Sequence, residues 1–71
     1  MKFDYGDEVI FKGVDGTGRP IERPGAVVGI TEVQNSKQAE TVGYPIGTTL
    51  YTLEFGDGSD QLVPEDRLAS L

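Results

Sequence analysis

The clearest alternation of apolar and polar positions lies at residues 49–55, where Thr49, Tyr51, Leu53 and Phe55 fall on one side of an extended chain and Thr52 and Glu54 on the other. A period of two marks a half-buried strand, because successive side chains point to opposite faces. Gly56-Asp57-Gly58-Ser59 follows as a turn, since Asp-Gly tolerates the backbone angles of a tight hairpin. Gln61-Leu62-Val63 is the return strand, and Pro64, which has no N–H for a ladder, stops it. Proline at the first helical position with Glu65 and Asp66 behind it predicts one turn of helix, with Leu68 plugging the sheet from below.

The rest of the chain falls into the same pattern. Residues 8–12 form a first strand with Val9 and Phe11 on the core side, and Phe3 and Tyr5 extend that face at the same parity. Residues 13–23 read as a long polar loop, from whose end Ile21 folds back. Pro24-Gly25 opens a second strand at 26–33, and Gly29 in its middle predicts a bend or bulge. The pattern does not decide which of Val27 and Val28 points inward; Ile30 is assigned to the core. Residues 34–47 read as a second long loop, polar at first and apolar at Tyr44-Pro45-Ile46. Ala69-Ser70-Leu71 leaves room for the stub of a last strand.

Composition bounds what this arrangement can be. At 71 residues the chain is one domain, 1–71, close to the smallest that buries a core alone. Ten glycines and four prolines favour short strands joined by turns. The absence of cysteine excludes a disulfide framework or a thiolate zinc site. No apolar run approaches a membrane span or a signal-peptide core, so the expected location is the cytoplasm. Twelve acids against six bases give a net charge of −6, which repels nucleic acid and attracts a basic protein.

Gly6-Asp7-Glu8-Val9, the Pro24-Gly25 strand with its bend at Gly29, the 51–59 hairpin and Val63-Pro64-Glu65-Asp66-Arg67-Leu68 together resemble the SH3-like small barrels, a group that includes Tudor and KOW-type domains. The resemblance implies an all-β fold of about five short strands with a 3₁₀ turn before the last. It is specific for architecture and weak for function. The chain has no tryptophan with which to grip polyproline. Tyr5, Tyr44 and Tyr51 do not make a methyl-lysine cage, because Tyr51 belongs to the core face. KOW domains bind RNA or ribosomal protein through basic loops, whereas the loops here are acidic or neutral. In size, acidity and all-β character the chain is also similar in type to bacterial immunity proteins of polymorphic and contact-dependent toxin systems.

Chemistry is sparse. Without histidine or cysteine the usual general base and nucleophile are missing, so no enzyme is expected. The Asp57 turn does not match a calcium loop, since the third, fifth and twelfth positions are Ser59, Gln61 and Leu68. No cofactor or metal site is expected. What remains is a surface: Glu54, Asp57, Asp60, Glu65 and Asp66 run without an intervening base, and Tyr44 and Ile46 offer an apolar anchor beside them. These residues are expected to bind a basic protein partner. The most concrete reading is a non-enzymatic immunity protein that covers the basic active site of a cognate toxin with its acidic face. The alternative is a small accessory subunit docking in a larger enzyme or a translation or transcription complex.

Overall fold

A computed structural model describes residues 2–71. The elements are β1 (Glu8–Val14), β2 (Pro20–Glu32), α1 (Ser36–Val42), β3 (Thr49–Phe55), β4 (Asp60–Pro64), a 3₁₀ turn (Glu65–Arg67) and β5 (Leu68–Ser70). The strands form one antiparallel sheet in the order β4-β3-β2-β1-β5. The all-β architecture implied by the resemblance, five short strands with a 3₁₀ turn before the last, is what the chain adopts. β2 makes this possible: its first half pairs with β1, its second with β3, and a bulge between Val27 and Gly29 interrupts the ladder to β3.

The bulge answers the question left open by the pattern. Val27 is buried, and Val28 is the extra residue that faces solvent, 49% exposed. A Cβ on Gly29 would stand 3.1 Å from the Thr52 hydroxyl and 3.2 Å from its Cβ, so glycine lets β3 approach at the bend. Val9, Val27, Tyr51, Leu53, Phe55, Val63 and Leu68 form the core, closed by Phe3 on one side, with Phe11 and half-buried Ile30 packed against it. Leu50, on the opposite face of β3, is also fully buried.

Four expectations need correction. Residues 13–23 are mostly strand. The turn is confined to residues 15–18, where Asp15 Oδ1 accepts from the Thr17 and Arg19 N–H groups and from the Thr17 hydroxyl. Pro20 and Pro24 are tolerated in β2. The Val27 N–H bond to the Asp7 carbonyl fixes the register so that the nitrogens of both prolines face away from β1, and β3 ends opposite Gly25.

Residues 34–47 contain α1. It is capped rather than buried: Asn35 Oδ1 accepts from the Gln38 N–H, Gln38 Oε1 accepts from the Gln34 N–H, and Gly43 closes the helix at φ 80° with its N–H on the Ala39 carbonyl. Tyr5 is 64% exposed rather than an extension of the core face, because a turn at residues 4–7 breaks the parity after buried Phe3. Pro64 is the extended residue preceding the 3₁₀ turn, not its first helical residue.

The bulge makes two adjacent valines behave differently. Val27→Ala should lower unfolding free energy by about 2 kcal/mol, whereas Val28→Ala should change it by less than about 0.5 kcal/mol. Denaturant melts of the two variants check this, and equal losses would place the extra residue elsewhere.

Candidate partner-binding surface

Strand register, rather than sequence order, decides which acids stand together. Directly opposed residues in an antiparallel sheet share a face. Glu8 pairs with Ala26, Ala26 with Glu54, and Glu54 with Asp60, so three carboxylates and one small residue form a row across β1, β2, β3 and β4. At the usual strand spacing this row spans about 14 Å. All three acids are exposed. The single ion pair among the described residues lies elsewhere, so none of the three has a cationic partner there. Between Glu8 and Glu54 lies a depression of about 360 Å³ with Ala26, Pro24 and Leu71 along its walls.

Glu54 and Asp60 face each other directly, and like charges opposed in this way destabilise a hairpin. Glu8 was not singled out in the sequence. Its signal, an outward position in β1, becomes informative only once β2 is known to carry Ala26 opposite both Glu8 and Glu54.

Two acids of the predicted surface are instead structural. Asp57 builds its own turn: Oδ1 accepts from the Ser59 N–H and hydroxyl at 3.0 and 2.6 Å. Its other oxygen pairs at 3.4 Å with Arg23, whose guanidinium lies 3.9 Å above the Phe55 ring. The Ser59 hydroxyl first, the Ser59 N–H second and Arg23 further back hold the Asp57 carboxyl below the ordinary carboxylate range.

Glu65 accepts the Tyr51 hydroxyl at 2.6 Å and the Lys2 N–H at 3.1 Å. The Tyr51 hydroxyl in turn accepts the N–H groups of Lys2 and Phe3. One buried phenol therefore fastens the N-terminal segment to the 3₁₀ turn. The Tyr51 hydroxyl, and behind it the Lys2 N–H, lower the pKa of Glu65; burial, reinforced by Glu65, raises that of Tyr51.

Tyr44, Glu65 and Asp66 do come together. They line a groove of about 590 Å³ with Pro45 and Pro64, and Ile46 lines an adjoining depression with Tyr44. Lys2 and Arg67 line the same groove, so the charge around Tyr44 is mixed rather than acidic. Glu54, Asp57 and Asp60 are at the far end of the β3–β4 hairpin, about 13 Å away along β4. The expected single acidic face is thus two surfaces: an acidic row at one end and a mixed, aromatic groove at the other.

Among the described residues no group of three or more acids could hold a metal ion, and no helix is long and apolar enough to cross a membrane. The chain matches no family model, no curated protein and no solved structure.

The Tyr51–Glu65 clamp has a testable pH signature. Tyr51→Phe leaves the Phe3 N–H without its acceptor and Glu65 without its shortest donor, and should lower stability by about 1–3 kcal/mol at neutral pH. The folded pKa of Glu65 is lowered from 4.5, so its contribution is complete above that value and is lost as pH falls through the lower, folded one. Melting temperatures of wild type and Glu65→Gln should therefore differ at pH 7 and converge in acid. A gap that persists unchanged to pH 2 would show that the carboxylate form is not what the clamp uses.

Proposed function

We propose that this chain is a non-enzymatic protein-binding module that docks on a basic partner through the row Glu8, Glu54 and Asp60. In its most concrete form it is an immunity protein that covers the basic active site of a cognate toxin. The observation that supports this is the direct opposition of Glu54 and Asp60, with Glu8 in the same row and no base beside them. The fold gains nothing from that opposition, whereas a cationic surface placed over it would turn three repulsive charges into attractive ones. The net charge of −6 adds long-range attraction for the same kind of partner. Asp57 builds the β3–β4 turn next to this row, and Glu65 belongs to the clamp at the other end of the hairpin.

A second reading, an accessory subunit docking in a larger complex, is favoured by the exposed Ile46 beside Tyr44. Salt separates the two, because screening weakens a charge-led interface and leaves an apolar one nearly unchanged.

Affinity capture from the native host, washed at low and then high salt, tests the proposal. A single basic protein should be retained at low salt and released at high salt. Glu8→Lys, Glu54→Lys and Asp60→Lys combined should slow association with it roughly tenfold or more at low salt. All three side chains are exposed, so the fold is retained. Retention by the triple variant equal to wild type, or a multi-subunit complex held at both salt levels, would move the function to the Tyr44 surface.

A further inference from the structure

A second groove shares Tyr44, Pro64 and Arg67 with the one described above and runs on toward β1. Four consecutive residues of β4, Gln61 to Pro64, line it, with Phe11 and Val14 of β1 opposite. Side chains of a strand alternate between faces, so a groove lined by four in succession follows the strand's edge. β4 is the last strand on its side of the sheet. The Phe55 N–H bond to the Ser59 carbonyl sets the ladder so that Leu53–Gln61 and Tyr51–Val63 are its hydrogen-bonded pairs. The N–H and carbonyl of Leu62 therefore point outward along this groove. Pro64 ends the edge, so only a short stretch is open.

The chemistry of the groove differs from that of the chain as a whole. Val14 and Leu62 expose 62% and 38% of their surface, and Phe11 is half-buried between them and the core. In a chain of net charge −6, the one charged residue lining this groove is a cation, Arg67, which has no ion-pair partner among the described residues. About 210 Å³ accommodates one side chain with its adjoining backbone.

We propose that this edge groove seats a short extended segment of a protein partner, with backbone hydrogen bonds to Leu62, an apolar side chain against Phe11, Val14 and Leu62, and a neighbouring carboxylate on Arg67. Two independent features specify the occupant. The outward Leu62 amide and carbonyl call for an extended backbone, and the lone guanidinium calls for an acid beside the apolar side chain. This rests on reading the chain as a protein-binding module and adds a second contact, of opposite charge preference, to the acidic row.

The test uses the ¹⁵N-labelled full chain and the peptide acetyl-Thr-Leu-Asp-Thr-amide at millimolar concentrations, with no cognate partner present. Saturable shifts are expected at the amides of Leu62, Val14 and Arg67, together with slower hydrogen exchange at Leu62. Replacing aspartate in the peptide by lysine should weaken binding roughly threefold to fivefold, and Arg67→Glu should reverse that preference. Methylating the leucine nitrogen of the peptide should abolish binding. Val14→Glu, at an exposed position, serves as a second variant and should weaken binding of the acidic peptide while leaving the spectrum dispersed.

Absence of saturable shifts, shifts confined to another surface, or an unchanged aspartate-to-lysine ratio in Arg67→Glu would overturn the proposal. Because no basic partner takes part, a negative result here leaves the acidic-row reading standing. Failure of the charge-reversal experiment likewise leaves this groove untouched.

Discussion

The hydroxyl of Tyr51 is the point on which the structure turns. Its ring sits fully buried at the centre of the core, edge-on to Phe3 at 5.6 Å. A phenol so placed needs partners for its oxygen, because an unsatisfied buried hydroxyl is costly. It obtains them from two parts of the chain that no strand pairing joins: the backbone at residues 2 and 3, and Glu65 at the start of the 3₁₀ turn. Phe3 closes the core because its own N–H ends on that oxygen. The 3₁₀ turn sits where it does because Glu65 must reach the same point. A small sheet with no disulfide thus gains a cross-link between its first residues and its last elements.

From this constraint follows a division of labour among the acids. Those near the clamp or inside the hairpin turn are occupied with intramolecular bonds, and those in the row across four strands are free of them. Glu54, Asp57 and Asp60 lie within seven residues of the chain, yet Asp57 faces Arg23 while its two neighbours face outward with Glu8. Carboxylate density along the sequence therefore does not tell which acids the fold leaves without an internal partner. Strand register and the hydrogen-bond pattern do.

How much could be read from the chain follows the same division. The β3–β4 hairpin, the bend at Gly29, the 3₁₀ turn and the burial of Val9, Leu53 and Leu68 were legible, because each depends on local alternation or on turn residues. The 13–23 segment was misread because three glycines and Pro20 suggest a loop, whereas only residues 15–18 turn and Pro20, like Pro24 after it, occupies a position whose N–H is not needed. α1 was missed because none of its residues is buried, so it has no apolar stripe to detect. Its signature was in the caps, an asparagine three residues before a glutamine and a glycine at the end. Glu8 and the edge groove were beyond reach, since both depend on register between strands distant in sequence.

The closure beneath α1 has a consequence for how this fold can diversify. The Val33 N–H binds the Thr48 carbonyl and the Gly47 N–H binds the Val33 carbonyl, at 2.9 and 2.8 Å, so the chain leaves and re-enters the sheet through one sealed neck. Everything above the neck, including Tyr44 and Ile46, is carried outside the main core. The 34–46 excursion is in this sense a cartridge. The clamp and the acidic row are built without it, while α1 and Val33 line one shared depression above the neck. A lineage under pressure to track a changing partner would have, in the part of this segment away from Val33, a place to vary that leaves the strand pairing alone.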